Sequence, residues 1–242
     1  MKPHLLLLAT TVAVSATPPG IPSLSQAQSS LSTLRVRPRS SATTYNRTLF
    51  PHWKTHSGPC NIREYVLVRD GTNVVTSSTT CAATSGTWFS PYDNKTWTRA
   101  SDVDIDHMVP LANAWASGAD AWTTARREGF ANDVEGPQLW VVTDSVNQGK
   151  GDRGPEVWRP GVEGFWCVYA RSWVGVKAKW GLSVTEGERE ALVGMMGGCK
   201  GEGGEGGGAV TGTGGGESRA GREVVVGVWV WVWVVVLLGY GL

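Results

Sequence analysis

The sequence predicts an α+β fold in which two strands and a short helix lie within a single, mostly helical domain stapled by disulfides. The first observation is the alternation of acidic and apolar residues from Asp102 to Asp106, which is typical of a strand with one acidic and one apolar face. The second is the run Leu-Trp-Val-Val-Thr after Gln138, which indicates a second strand. The third is the helical spacing of apolar residues before, between and after these strands.

The N-terminal part of the chain predicts two segments that lie outside the folded domain. A positive charge at Lys2 precedes a short apolar run that ends in small residues at Ala16, which is typical of a secretory signal peptide over residues 1–16. Residues 17–44 are rich in Ser, Thr, Pro, Ala and Gln and lack hydrophobic periodicity, so we expect a flexible leader there. The folded domain is therefore expected over residues 45–199.

The C-terminal part predicts a linker and a hydrophobic tail. Residues 200–223 are glycine-rich, and residues 224–242 are almost wholly apolar, with three tryptophans set between valines. This order matches a signal for GPI attachment, which predicts an extracellular protein held at the cell surface. A retained tail anchor and a mistaken gene model are the two alternatives, because the repeated Val-Trp pairs resemble low-complexity translation.

The cysteines indicate an oxidising compartment. The chain has four, Cys60, Cys81, Cys167 and Cys199, and none forms a Cys-x-x-Cys pair, so disulfides are favoured over a zinc site. Pairing Cys60 with Cys81 and Cys167 with Cys199 closes the shortest loops and is our prediction, although four cysteines allow three connectivities.

The charge balance is nearly neutral. The chain has 22 Lys plus Arg and 21 Asp plus Glu, and loss of Lys2 with the signal peptide would leave 21 of each, which argues neither for nor against nucleic acid as a partner. The distribution is uneven, because no acidic residue precedes Glu64. A solvated leader is the favoured interpretation of this basic arm, and contact with a phosphate backbone is the alternative. Its basic residues are Arg35, Arg37, Arg39, Arg47, Lys54 and Arg63.

Helices are predicted around the two strands. Apolar spacing and a stop at Gly71 predict one over residues 61–70, and Pro110 begins a helical stretch to Arg127 that Gly118 interrupts. A short helix capped by Asp144 or Ser145 would follow the second strand directly. Two further helices are expected, one over residues 165–180 that ends at Gly181 and one to Met196 that begins at the capping box of Thr185 and Glu188.

The acidic strand and the short helix contain the candidate catalytic residues. Asp106 offers an oxygen ligand for a metal and His107 a base with a pKa near neutrality, the two needs of metal-dependent phosphodiester cleavage. Asn147, at the start of a helix, can present its side-chain oxygen to the same metal, and Lys150 can neutralise a nearby phosphate. An Asp-His pair alone usually marks an ordinary surface or core histidine, whereas both halves together are specific.

These two halves resemble a known nuclease domain. Asp104-Ile105-Asp106-His107-Met108-Val109-Pro110, with Asn147-x-x-Lys150-Gly151-Asp152, is similar to the HNH domain of RNA-guided CRISPR endonucleases and to the C-terminal domain of GmrSD-type restriction enzymes. The similarity to secreted members of the latter family is greater, and Ser90-Pro91-Tyr92-Asp93 belongs to their wider pattern. The resemblance covers residues 45–199.

The resemblance implies a ββα-metal (HNH) finger embedded in the domain. In such a finger Asp106 and Asn147 would bind Mg²⁺ or Mn²⁺, and His107 would activate water. Asn132 would orient the histidine, and the alternative is that Asn132 caps a turn with Asp133.

Three further points remain expectations. Neighbouring residues on a regular strand face opposite ways, so Asp106 and His107 can share a site only where the strand distorts or ends. Arg63 is a candidate to bind a substrate phosphate, with a structural salt bridge as the favoured alternative. Asp102 and Asp104 share a face with Asp106 and are either outer partners of the site or solvated acids.

The sequence therefore predicts a secreted, metal-dependent endonuclease that hydrolyses DNA, with RNA as a second candidate substrate, without strong sequence specificity. The expected partners are the nucleic acid and a membrane tether through the tail, with no obligate protein partner. The alternative is a catalytically silent, surface-anchored binding module with the same fold.

Overall fold

A computed structural model describes residues 17–200 of the chain. The predicted signal peptide, most of the predicted glycine-rich linker and the hydrophobic tail with its proposed GPI signal lie outside the described residues. Within residues 17–200, no helix is both long enough and apolar enough to cross a membrane.

The described residues form an α+β fold, as the sequence predicts. The α-helices are α1 (Leu24–Thr33), α2 (Ile62–Asp70), α3 (Leu111–Ala116), α4 (Thr124–Ala131), α5 (Asp144–Lys150), α6 (Trp166–Trp180) and α7 (Glu186–Gly197). The strands are β1 (Thr55–Ser57), β2 (Cys60–Asn61), β3 (Thr72–Thr76), β4 (Ala83–Ser90), β5 (Lys95–Trp97), β6 (Val103–His107) and β7 (Leu139–Thr143). They form three antiparallel sheets, β1-β2, β3-β4-β5 and β6-β7.

The β6-β7 pair lies between the two hydrophobic clusters of the domain. Its register is regular from Val103 opposite Thr143 to His107 opposite Leu139. Ile105 and its neighbours on one face pack against α2 and Trp88, whereas Trp140 on the other face packs into the larger cluster with α6. Helix α5 begins directly after β7, so the predicted order of strand, insertion, strand and helix is present.

Local capping explains where the predicted helices begin and end. The Asn61 side chain accepts a hydrogen bond from the Glu64 amide at the start of α2. Thr185 and Glu188 form the capping box at the start of α7, and Gly181 takes a left-handed conformation with a φ of 66° after α6. The stretch after Pro110 divides into α3, a 3₁₀ turn and α4, which continues beyond the expected end to Ala131.

Both predicted disulfides are confirmed. Cys60–Cys81 joins β2 to the connection between β3 and β4. Cys167–Cys199 joins the first turn of α6 to the residues that follow α7. No free cysteine remains among the residues that the structure describes.

The expectation of a flexible leader over residues 17–44 requires correction, because this segment contains α1. Ser23 and Gln26 form a capping box, and Ala27 and Leu31 are buried against α6 and α7. These two apolar residues are four positions apart and therefore lie on one helix face. Two apolar residues among many serines are too few to predict a helix from the sequence. The folded unit thus begins well before residue 45.

Candidate functional site

A cleft of about 540 Å³ brings together Asp106, His107 and Asn147, three of the six residues assigned a role from the sequence. Its walls come from the segment before β1, the end of β6, the start of α3, and α5 with the residues after it. The polar lining residues are Tyr45, Arg47, Asp104, Asp106, His107, Asn147, Gln148 and Asp152.

His107 is the last residue of β6 and is held in one tautomer. Its Nε2 lies 2.9 Å from the carbonyl oxygen of Ala131. A carbonyl only accepts hydrogen bonds, so Nε2 carries the proton and Nδ1 has the free lone pair. Because β6 ends here, Asp106 and His107 line the same cleft without any bulge in the strand.

The surroundings of His107 keep the ring neutral. Trp53 stacks on the imidazole at 5.5 Å between ring centroids, and His52 meets its edge. Burial lowers the pKa of His107 to about 3, and the charge of Arg47 acts in the same direction, whereas the hydrogen bond to Ala131 opposes the shift. The ring is therefore unprotonated at neutral pH and available as a base.

Asn132 does not contact His107 through its side chain. Its Nδ2 donates to the carbonyl oxygens of Pro51 at 2.8 Å and Glu128 at 2.7 Å, and its Oδ1 accepts from the Lys54 amide at 3.1 Å. These bonds anchor the chain next to Ala131, whose carbonyl binds the histidine. The Asn132 side chain therefore makes no direct bond that would orient His107, which differs from the expectation.

Asp106 is buried in a polar cluster beneath the cleft. Lys150 Nζ lies 2.8 and 2.7 Å from its two carboxylate oxygens, and the Tyr92 hydroxyl donates to it at 2.6 Å. Burial, followed by the charge of Asp106, raises the pKa of Tyr92 well above its usual value, so the hydroxyl keeps its proton.

Lys150 is not placed to bind substrate, which corrects that expectation. The residue is fully buried, and its ammonium group also donates to the carbonyl oxygen of His107 at 2.8 Å. The last turn of α5 directs the side chain toward β6, where it neutralises Asp106. Glycines flank this lysine on both sides, a sequence context that suggests an exposed position.

Asn147 and Asp104 form a second polar pair, on the wall of the cleft. Asn147 Nδ2 donates to Asp104 Oδ2 at 3.1 Å. Burial raises the pKa of Asp104, the hydrogen bond from Asn147 lowers it, and the carboxylate of Asp144 on α5 raises it further. Asp104 is therefore a partner within the site, whereas Asp102 pairs with the exposed Arg99.

Arg63 forms the structural salt bridge that the sequence analysis favoured over phosphate binding. Its Nη1 donates to Glu64 at 2.9 Å and its Nη2 to the Ala100 carbonyl at 3.3 Å. The side chain does not line the cleft. Its expected role as a substrate ligand is therefore not supported by its position.

Three residues of the site were not singled out as functional from the sequence, and a fourth, Arg47, was named only as part of the basic arm. Tyr92 fixes Asp106, Trp53 covers His107, and Tyr45 and Arg47 line the cleft. A signal existed for Tyr92, which lies in the Ser-Pro-Tyr-Asp segment of the wider pattern. Within residues 17–200, no three His, Cys, Asp or Glu side chains gather into a metal-binding group.

Comparisons with known proteins agree with the resemblance in the two motifs. The family model "GmrSD restriction endonucleases, C-terminal domain" matches residues 68–195, which include both halves of the site. A protein of Arthroderma benhamiae named "Uncharacterized secreted protein" is 59% identical over 193 residues, covering 80% of this chain and 94% of its own length. No solved structure matches the chain.

Proposed function

Because the chain belongs to the family of the GmrSD restriction endonuclease C-terminal domain, we propose that it is a secreted, metal-dependent endonuclease. Its substrate would be DNA, with RNA as a second candidate, cleaved without strong sequence preference. The observation that carries this proposal is the neutral His107 at the cleft, with Nε2 bound to a carbonyl and Nδ1 free to accept a proton. The secreted relative and the two disulfides support export of this chain.

In the proposed reaction, His107 is the general base. Nδ1 takes a proton from water as the water oxygen bonds to phosphorus and the ester P–O bond breaks, and the leaving oxygen takes a proton from solvent. A bound phosphate would raise the pKa of His107, which strengthens the base when substrate is present. Arg47, exposed on the cleft wall, is the candidate to pair with that phosphate.

The cleft has oxygen ligands that fit a hard divalent cation. Asn147 uses Nδ2 to bond Asp104, and no donor reaches its Oδ1 within residues 17–200. Asn147 and Asp106 would hold Mg²⁺ or Mn²⁺, with Asp104 beside them. When bound, the metal supplies positive charge to the phosphate and lowers the pKa of water.

One observation favours the alternative, a catalytically silent module. Lys150 places a positive charge on both oxygens of Asp106, so this carboxylate is already neutralised without a metal. A cation at Asp106 would have to share the carboxylate with Lys150 or displace it. The Asn147 oxygen and the free His107 nitrogen argue for the nuclease, because packing alone requires neither.

The test is cleavage of plasmid DNA and of a structured RNA by the secreted chain, with and without Mg²⁺ or Mn²⁺. His107→Ala should lose at least about a hundred-fold in rate, since general-base catalysis contributes about 10²–10⁴. His56→Ala is the matched control, because His56 lies outside the cleft against Tyr65. Mn²⁺ binding, followed by electron paramagnetic resonance, should weaken in Asn147→Ala. Negligible cleavage and no Mn²⁺ binding in every protein would support the silent module.

A further inference from the structure

A second cavity, of about 300 Å³, lies outside the candidate active site. Arg35 and Arg37 line it together with Ser117, Gly118 and Ser183. We call it the arginine cavity. Both arginines belong to the basic arm. Of that arm, the proposed reaction involves only Arg47.

The two guanidinium groups outnumber the one carboxylate, of Asp120, that lines the cavity with them. Within residues 17–200, neither Arg35 nor Arg37 lies within ion-pair distance of an acidic side chain. Arg39, the next arginine along the chain, differs because it pairs with Glu156 at 2.7 Å and Glu188 at 2.9 Å. The arginine cavity is therefore an electropositive recess.

The structure holds this recess in a fixed shape. The Arg37 amide donates to the Val184 carbonyl at 2.9 Å, and the Val184 amide donates to the Arg35 carbonyl at 3.0 Å. Arg37 Nε donates to the Ser183 hydroxyl at 2.9 Å, which leaves its terminal nitrogens for a ligand. Gly118 has a φ of 126°, and a Cβ there would lie 3.1 Å from Arg37 Nη2, so glycine permits this close approach.

The same segment connects the arginine cavity to the cleft. After Arg37 the chain is anchored where the Ser40 amide donates to the Ala116 carbonyl at 2.8 Å, and it then reaches Arg47 on the cleft wall. Arg47 lies ten positions after Arg37 in the chain. A fully extended chain of that length would span at most about 35 Å, so the two sites lie within about one turn of duplex DNA of each other.

We propose that the arginine cavity binds a backbone phosphate of a nucleic acid whose scissile bond lies in the cleft. Guanidinium groups form charge-assisted, often bidentate hydrogen bonds with phosphate oxygens, and backbone contacts carry no sequence information. The inference rests on the proposed nuclease function and extends it, because the substrate becomes a polymer long enough to reach both sites. Asp120 also lines the cavity and weakens its positive field.

The test measures binding apart from catalysis. The full secreted chain with His107→Ala is titrated in EDTA against a fluorescein-labelled 20-base-pair duplex, and anisotropy gives Kd over a range of salt concentrations. Adding Arg35→Gln and Arg37→Gln should raise Kd at least about ten-fold at low salt. The slope of log Kd against log salt should fall by about 0.9, since the cavity binds one phosphate and each phosphate contact contributes about 0.9.

Matched variants separate the arginine cavity from overall charge. Arg99→Gln with Arg189→Gln removes two exposed charges that pair with acids elsewhere, and this control should leave the slope unchanged. Asp120→Asn should tighten binding. If the double cavity variant folds poorly, Arg35→Gln alone serves as the test, because its side chain has no described partner; it should raise Kd at low salt and lower the slope by less than the double variant does.

Equal slopes in the cavity variants and in the control would overturn the proposal. The proposed nuclease function is tested separately, and it would be wrong if the chain with His107 intact showed no metal-dependent cleavage. Because the binding assay uses no metal and an inactive variant, its result does not depend on turnover.

Discussion

At the level of single residues, the environment of His107 determines what the cleft can do. A histidine in water would be partly protonated near neutral pH, and a protonated ring cannot accept a proton. Trp53 covers the ring although its own backbone has a positive φ of 58°, an uncommon conformation for a bulky residue. Strain of this kind persists where surrounding structure imposes it, which is frequent at functional sites.

The depressed pKa of His107 predicts a loss of stability in acid. The folded-state pKa is about 3, against 6.5 in the unfolded chain, so the unfolded state binds more protons between these values. The free energy of unfolding therefore does not vary with the protonation of His107 above pH 6.5, and it decreases as the pH falls from 6.5 toward 3. Its steepest slope is about 1.4 kcal/mol per pH unit. Urea unfolding at pH 7, 5 and 4 gives the free energy of unfolding, which should vary less with pH for His107→Gln than for the parent. The same variation with pH in both proteins would contradict the lowered pKa of His107.

The sequence predicted the positions of some candidate site residues correctly and of others incorrectly. Asp106, His107 and Asn147 meet at one cleft because β6, β7 and α5 follow a local pattern that the sequence shows. Lys150 was misplaced as a substrate ligand because Asp106 neutralises its charge inside the fold, whereas Arg63 pairs with Glu64, in agreement with the favoured interpretation. Whether a cation faces solvent or a buried carboxylate depends on tertiary packing, and the motif alone does not specify it.

Secondary-structure elements with strong local signals were predicted well. Helices α2, α6 and α7 have capping residues or glycine stops that act within one turn. The sheet β3-β4-β5 was not predicted, because β3 is largely exposed on both faces and lacks the alternation of a half-buried strand. Helix α1 was missed for a related reason, since α6 and α7 provide the apolar surface that stabilises it.

The packing of α1 predicts that the leader contributes to stability. Leu31 is buried between α1 and the C-terminal helices, so Leu31→Ala should lower the free energy of unfolding by about 2–5 kcal/mol. Gln28→Ala, on the exposed side of α1, should change it by less than about 0.5 kcal/mol. Chemical denaturation followed by tryptophan fluorescence gives both values. Equal, negligible effects would restore the interpretation of a flexible leader.

For the molecule as a whole, the candidate site depends on segments far apart in sequence. The cleft joins residues before β1 to β6 and α5, and the insertion between β6 and β7 supplies the Ala131 carbonyl that holds His107. Correct placement of these parts requires the full domain rather than the two motifs alone. The disulfides act at the two ends of this arrangement, near α2 and between α6 and α7.

The disulfides predict a fold that depends on an oxidising compartment. The two cysteines of each disulfide are 21 and 32 positions apart in the chain, respectively. Each disulfide should stabilise the folded chain by about 2–5 kcal/mol relative to the reduced protein. We expect Cys60→Ala with Cys81→Ala and, separately, Cys167→Ala with Cys199→Ala to lower the melting temperature by several degrees or more. A reducing agent should lower that of the parent further than either pair alone, because it removes both constraints. A parent protein whose melting temperature does not change on full reduction would contradict this role and weaken the structural argument for secretion.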